Sequence, residues 1–450
     1  MGIIEKLKNS VFQNNYSIKT FTYIIGLRIF QVGVLFLAAA PVIAFFLLLI
    51  SSFLCLIYRR DNYFNDKYNY PFIIVSILMI INCTYITFDT KNIYSVDVLT
   101  IWVGLSNWLP FFWCFWGFQP FLKNHKLRIQ TAKFLIVGSL PVLISGFCQY
   151  FLRIYGPYKF FNNLIIWYQR PLGNDNAVTG LFNNQNYTGA WLSIILPLCI
   201  AFLIKKNKFK LKNLLVFLNS FSFIYMIVLT SSRGSILTIF TSFFLFTKSI
   251  KKKFFVFLSL LSIPLILNLI PLISLNLQSI IYNFLPFELI KKASITKLSN
   301  ADIFPRFEIW SKSFELIKSN LITGYGSGSF KSLYSLSNGI YSDIQHSHNI
   351  FLEISINHGL PSSLIIFSTM FFITINCWRK NANIDLNKFK NPVNKEKQFE
   401  LAWIISFMAF FLIHIFDITY FDGRISTLAW ILLAGLRSII NEYKTFKNLS

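Results

Sequence analysis

The stretch HSHNIFLE, residues 346–353, ends a long segment of mixed polarity and opens the apolar run 350–377. Only five histidines occur in 450 residues, and His346 and His348 are two of them. An apolar run of this length can cross the roughly 30 Å hydrocarbon core of a bilayer as a helix. The polar stretch is then expected at the water end of a membrane helix, where titratable side chains are tolerated.

The whole chain has the composition of a membrane protein. It is 54% hydrophobic and 18% aromatic, with 13% charged residues, whereas soluble domains carry about 25% charged residues. Because a helix satisfies its own backbone hydrogen bonds in lipid, the repeated apolar runs predict an all-α integral membrane protein with about 12 transmembrane helices. The predicted spans are residues 21–39, 41–57, 72–88, 98–120, 134–151, 179–203, 213–230, 235–247, 254–274, 350–377, 398–416 and 425–440. Residues 38–41 read AAAP, so the first two spans form either a tight reversal or one kinked helix.

The net charge of +24 is explained by basic loops between the spans. If the spans alternate, these loops share one side, which the positive-inside rule makes cytoplasmic together with both termini. No nucleic-acid partner is needed to explain the charge. The six cysteines lie in apolar stretches without paired ligand spacing, which disfavours a zinc site or a disulfide framework. The basic loops lie near residues 59–67, 123–133, 205–212, 248–253 and 379–397.

Two longer loops, at about 153–178 and 275–349, face the opposite side. They divide the chain into N-terminal helices with the first loop (residues 1–178), a core that contains the large loop (residues 179–365) and C-terminal helices (residues 366–450). Within the large loop, Pro305 precedes an i, i+3, i+7, i+10 apolar stripe, which predicts an amphipathic helix at the membrane surface or over the bundle. The stripe consists of Phe307, Trp310, Phe314 and Ile317. The sequence GYGSG at 324–328 lacks the lysine of a P-loop and is interpreted as a turn.

Five arginines remain on the outward side despite the positive-inside rule: Arg153, Arg170, Arg233, Arg306 and Arg424. Arg233 lies in TSSRGS, residues 230–235, a very short turn between two spans. Gly234 is expected to permit the turn and Ser235 to cap the next helix, whose dipole favours an anion. Arginine forks fit phosphate oxygens, so a diphosphate at headgroup level is one interpretation. The alternative is that Arg233 only snorkels to lipid headgroups.

The two histidines admit a catalytic and a structural interpretation. A neutral imidazole can act as a general base near pH 7, and Glu353 is a candidate to orient His348. Alternatively, the histidine anchors the span that begins at Ile350. A metal site is not predicted, because His346 and His348 are two residues apart, which aims them in different directions on a helix, and no third ligand lies nearby in the sequence.

Four segments, taken in order, resemble the O-antigen ligase and O-antigen polymerase family of bacterial lipid-linked glycan transferases. GLFNNQN at 180–186 is similar to a family motif at the start of a span, and TSSRG at 230–234 to its Ser-Arg-Gly turn. The large-loop spacing is matched by Arg306, Trp310, Gly324, Gly326 and Phe330. His348 and Asn349 followed by Gly359 are similar to the ligase signature, although Ser362 departs from the Gly, Thr or Tyr expected three residues later.

The resemblance implies an all-α transferase of the bacterial inner membrane with a large helical periplasmic loop. The implied reaction moves a glycan from an undecaprenyl diphosphate carrier to an acceptor, without cofactor or metal. Arg233 and Arg306 are then expected to stabilise the diphosphate, and His348 to serve the acceptor hydroxyl. Further substrate-binding candidates are Asn186, Arg153, Arg170, Arg424, His346 and Asn349. Partners are the lipid-linked donor, lipid A core or a growing glycan as acceptor, and membrane lipids.

The sequence leaves the function open between an O-antigen ligase, an O-antigen polymerase that extends the lipid-linked chain, and a protein O-glycosylating transferase. A polysaccharide transporter or flippase is the alternative from another class. Transporters often place ionisable residues at mid-membrane, and here only Arg28, His358 and His414 are expected to lie deep.

Overall fold

A computed structural model describes residues 2–59, 63–88, 97–173, 176–204, 211–247, 305–337, 344–382 and 392–449, with Gly339 and a few positions between 251 and 259. Its elements are almost all helices. The helices are α1 (Gly2–Phe36), α2 (Pro41–Tyr58), α3 (Tyr70–Phe88), α4 (Val98–Gly104), α5 (Leu109–Gly117), α6 (His125–Gly138), α7 (Leu140–Phe151), α8 (Gln185–Ile204), α9 (Leu211–Leu229), α10 (Arg233–Phe246), α11 (Pro305–Ser319), α12 (Phe330–Leu336), α13 (Ile350–His358), α14 (Leu360–Ala382), α15 (Pro392–Phe416) and α16 (Gly423–Leu449).

The described helices confirm an all-α integral membrane protein. Nine segments within the described ranges are long and apolar enough to cross a membrane, and Leu214–Leu229 and Arg233–Phe246 are shorter apolar helices. The count of about 12 stays a prediction, since most of the predicted span 254–274 lies outside the described residues. The strands β1 (Tyr158–Phe160) and β2 (Ile165–Trp167) form a small antiparallel hairpin in the loop between α7 and α8.

The first two spans form a tight reversal. Helix α1 ends at Phe36, Pro41 occupies the first turn of α2, and the two helices pack against each other. Their close approach depends on Gly33, because a Cβ there would lie 2.8 Å from Cγ of Leu48. Proline at a helix start leaves no backbone donor unsatisfied, so AAAP separates two helices and does not kink one.

The prediction that 350–377 forms one span was wrong, because the run breaks at Gly359. Gly359 has a φ of 81°, in the left-handed region that favours glycine. A segment of the large loop docks against this break: Tyr325 N–H donates to the Ile356 carbonyl at 2.8 Å, and Leu360 N–H donates to the Leu321 carbonyl at 2.9 Å. A Cβ at Gly359 would lie 1.8 Å from the Ile322 carbonyl oxygen. The loop is therefore fixed to the short helix α13.

Helix α11 packs over the bundle, as one of the two predicted alternatives had it, but only two of the four predicted stripe residues, Trp310 and Ile317, turn inward. Ile309 and Ile317 are buried in a small apolar cluster with residues of α12 and α13. The predicted stripe members Phe307 and Phe314 are 62% and 53% exposed, whereas Trp310 is partly buried. The stripe was misassigned because Ile309 lies between Phe307 and Trp310, and hydrophobicity alone does not separate two adjacent apolar faces.

Candidate active site

A small polar pocket lies where the amino ends of α8 and α10 meet the carboxyl end of α15. Its volume is about 120 Å³. Polar and charged side chains from four distant segments of the sequence converge on it. It is lined by Gln185, Asn186, Ser231, Ser232, Arg233, Gly234, Arg306, Ile413, Phe416, Asp417 and Thr419.

Arg233 is the first residue of α10, so its guanidinium stands at a helix amino end. The backbone takes the sharp turn at Ser231, whose φ is 52°, and Ser232 is the N-cap residue. The expectation that Gly234 provides the turn and Ser235 the cap was therefore wrong. Ser235 instead donates to Ser232 Oγ at 3.0 Å. A strained backbone of this kind persists only where its surroundings hold it, and such places are frequent at functional sites.

Arg306 enters the pocket from the large loop, on the second residue of α11. Burial lowers the pKa of its guanidinium, the charge of Asp417 raises it, and the charge of Arg233 lowers it again, for a net lowering. Neither Arg233 nor Arg306 forms an ion pair with a carboxylate of the described residues. Arg306 is partly buried and Arg233 is exposed, and two positive charges lining one pocket favour an anion there.

His348 pairs with Asp417, the residue that follows α15. His348 Nδ1 lies 3.1 Å from Asp417 Oδ1, and the side chains are 29% and 17% exposed. The other carboxylate oxygen accepts from Asn186 Nδ2 at 2.8 Å, and Ile418 N–H donates to Oδ1 at 2.9 Å. Asp417 is therefore fixed by three partners from three segments of the chain.

The ionisation of Asp417 follows from these contacts. Burial alone raises the pKa of its carboxyl, but the hydrogen bond and charge of His348 lower it, and the net shift is a lowering. Asp417 is a carboxylate at neutral pH and only accepts hydrogen bonds. His348 Nδ1 must then carry the proton of the shared bond, and in the neutral imidazole Nε2 is left as the basic atom.

The turn before α13, residues 347–349, is fixed by hydrogen bonds on either side of His348. The backbone φ of His348 is 54°. Ser347 N–H donates to Glu353 Oε2 at 2.9 Å. Asn349 caps α13 by accepting from Phe351 N–H at 2.9 Å. The hypothesis that Glu353 orients His348 was wrong, because Glu353 holds the neighbouring backbone and Asp417 contacts the imidazole.

His346 stands beside His348, with ring centroids 4.3 Å apart in an edge-to-face arrangement. Its Nδ1 accepts from the His348 N–H at 3.3 Å. Burial lowers the pKa of His346 to about 4, and the charge of His348 acts in the same direction, so its imidazole is neutral at pH 7. His346, His348 and Asp417 each offer one ligand atom, and these atoms lie within 4.8 Å of one another. Asp417 thus lies beside the two histidines, where no third candidate ligand was evident from the sequence.

Three of the predicted arginines lie elsewhere. Arg153 is exposed and donates to Asn176 Oδ1 at 3.2 Å, and Arg170 is also exposed. Arg424 is buried, paired with Asp422 at 2.5 Å and stacked over the Phe182 ring at 3.7 Å. These three residues do not line the polar pocket, so their assignment as substrate-binding residues stays a prediction.

A large apolar groove adjoins the polar pocket. It has a volume of about 890 Å³ and runs between α10, α14 and α15. It begins at Asn349 and His414, next to the residues of α15 that line the pocket, and it opens on exposed apolar side chains such as Phe371. Its walls are largely aromatic and aliphatic: among them are Phe244, Phe367, Phe371, Trp378, Met408 and Phe411.

Residues 218–367 match the family model described as O-Antigen ligase. The matched stretch contains Arg233, Arg306 and His348, whereas Asn186 and Asp417 lie on either side of it. No curated protein matches the chain.

Proposed function

We propose that this chain, whose residues 218–367 match the O-antigen ligase family model, moves a glycan from an undecaprenyl diphosphate carrier to a lipid A core acceptor on the periplasmic face of the inner membrane. The observation that carries this proposal is the junction of the polar pocket, with its two arginines, and the apolar groove. The two features suit the two portions of a lipid diphosphate: charged phosphates and a long hydrocarbon chain.

In this proposal, Arg233 and Arg306 hold the diphosphate. Guanidinium forks bind phosphate oxygens in pairs, and the amino end of α10 adds the favourable end of a helix dipole. The hydrocarbon chain occupies the groove. From Phe367 to Trp378 the groove follows α14 for about 17 Å at 1.5 Å per residue, which is long enough for several isoprene units.

The transfer itself needs a base and a stabilised leaving group. His348 Nε2 takes the proton of the acceptor hydroxyl while the hydroxyl oxygen bonds to the anomeric carbon of the donor sugar. The bond from that carbon to the diphosphate oxygen breaks, and the electron pair stays on the diphosphate. Arg233 and Arg306 stabilise this developing charge. Asp417 fixes the tautomer of His348 and stabilises the imidazolium that forms.

The placement of the polar groups favours an enzyme over a transporter. Transporters hold substrate near the middle of the bilayer between broken helices. Here the polar pocket lies at helix ends, and His348 keeps 29% of its side chain exposed, so a hydrophilic acceptor can approach it from water.

The test is transfer by the purified chain, given an undecaprenyl diphosphate glycan and lipid A core in the presence of a chelator. The proposal expects glycan-capped lipid A core, and it expects Asn186→Ala, Arg306→Ala and His348→Ala to lose this product. A product that is instead a longer lipid-linked glycan identifies a polymerase. In cells, a deletion strain that loses capped lipid A core supports the ligase, and single-repeat caps support the polymerase. No transfer to either acceptor would refute the proposal.

A further inference from the structure

We propose that His346, His348 and Asp417 form a binding site for a divalent zinc ion, and that zinc bound there inhibits the enzyme. The inhibition rests on the proposed function, whereas the binding site rests on geometry alone. Two imidazoles and one carboxylate are a ligand set that zinc takes up readily, with the fourth position left to water.

The distances suit this ion. Around tetrahedral zinc with bonds of about 2.0–2.1 Å, neighbouring ligand atoms lie about 3.3 Å apart. His348 Nδ1 and Asp417 Oδ1 are already 3.1 Å apart, and the three ligand atoms all lie within 4.8 Å of one another. We expect a rotation of the His346 side chain to close the remaining difference.

Asp417 and the backbone between the two histidines are also held in place by the rest of the structure. Asn186 Nδ2 donates to the Asp417 oxygen that faces away from His348, at 2.8 Å, which is the kind of outer contact that orients a metal-bound carboxylate. The Glu353 carboxylate holds the Ser347 N–H at 2.9 Å between the two histidines. Because these partners restrict the ligands before any ion binds, little conformational entropy is lost on binding.

Zinc in this position opposes catalysis. A zinc ion bound to His348 Nδ1 and Asp417 replaces the proton that the two groups share, and that proton is released to solvent. Asp417 then no longer stabilises an imidazolium, and the ion withdraws electron density from the ring, so His348 is a weaker base. Arg233 and Arg306 line the adjoining pocket and repel a cation, so we expect reversible binding weaker than at a structural zinc site.

The binding test uses the full chain in detergent, titrated with Co²⁺ as a spectroscopic probe and then with Zn²⁺ in competition. We expect the visible absorption of tetrahedral cobalt to appear in the wild type and to be displaced by zinc. His346→Ala and Asp417→Asn should each weaken binding by at least roughly 10-fold. The control is Glu315→Gln, an exposed carboxylate on the same loop, which should bind as the wild type does. Equal affinity in all four proteins would overturn the site.

Folding is checked by gel filtration, and His346→Gln replaces His346→Ala if the latter aggregates. The activity test compares each protein with its own zinc-free rate. Zinc should inhibit the wild type and Glu315→Gln reversibly, and His346→Ala should resist it. If cobalt binds as described and no protein transfers glycan, the metal site stands and the proposed function fails. If transfer depends on His348 but zinc inhibits His346→Ala like the wild type, the further inference fails and the proposed function stands.

Discussion

The most informative single change is Asp417→Asn, because it alters one atom type and leaves the shape of the side chain. In the wild type, the ionised carboxylate accepts from His348 Nδ1 at 3.1 Å and from Asn186 Nδ2 at 2.8 Å. An asparagine at this position has one accepting oxygen, its carbonyl, and must use it to keep the hydrogen bond from Asn186. Its NH₂ group then faces His348 and favours the tautomer with the proton on Nε2, where the base is needed.

The size of the effect follows from these contacts. A hydrogen bond to a charged group contributes about 1.5–3 kcal/mol, so its loss alone slows transfer roughly 10- to 150-fold at 1.36 kcal/mol per factor of ten. If the tautomer also reverses, the full contribution of a general base is lost, about 10² to 10⁴. We expect a fall in kcat between these limits. The KM for the lipid-linked donor should change little, because the arginines hold the diphosphate.

The assay is steady-state transfer to lipid A core at varied donor concentration, with the thermal unfolding midpoint measured on the same preparations. Asp97→Asn is the matched control: Asp97 is exposed and caps α4, and asparagine caps a helix equally well. A kcat for Asp417→Asn within threefold of the wild type, at equal unfolding midpoint, would refute the pairing of His348 with Asp417 as a component of the mechanism. A rise in the KM for the donor with unchanged kcat would indicate that Asp417 acts in donor binding.

Three further predictions follow from the site and the charge pattern. The Arg233→Lys protein should insert into the membrane normally but lose about 1.5–3 kcal/mol of transition-state stabilisation, because lysine keeps the charge without the planar fork. Near-normal transfer at equal protein level would show that Arg233 only anchors the chain to lipid headgroups. His348→Ala should lower the transfer rate by a factor of about 10² to 10⁴ without abolishing donor binding. His346→Ala should lower the rate much less, and the reverse order of activities would exchange the roles of the two histidines. An alkaline phosphatase fusion near Ser335 should be active and one near Asn383 inactive, and the opposite result would invert the topology.

The fold class was predictable, because hydropathy is a local property of the sequence. The helix breaks were harder to predict, because they also depend on contacts between distant segments. The run 350–377 does carry a polar interruption, NHGLPSS at 357–363, whose Gly359 and Pro361 are break signals that the prediction overlooked. What ends α13 is the docking of Leu321 and Tyr325, which are more than thirty residues away in the sequence. Such a contact is visible only in three dimensions.

Some of the site was predictable. Arg233, Arg306 and Asn186 were chosen from outward placement and motifs, and the structure brings all three to one pocket. Outward placement alone did not separate them from Arg424, whose partner Asp422 is two residues away. Asp417 was missed because it lies 69 residues from His348 and belongs to no motif. The available signal was weak: it is a single carboxylate directly after the apolar run 398–416.

The apolar groove has a consequence for how the enzyme meets its substrate. Its outer rim includes side chains such as Phe371 and Ile415, which are 63% and 45% exposed and lie on helices long and apolar enough to cross a membrane. Under the proposed function, we expect the lipid carrier to enter and leave sideways, by diffusion within the plane of the bilayer. The relevant concentration is then the number of carriers per unit area of membrane. Adding carrier-free phospholipid to vesicles at fixed total carrier should slow the reaction by surface dilution, although the bulk concentrations of enzyme and carrier do not change.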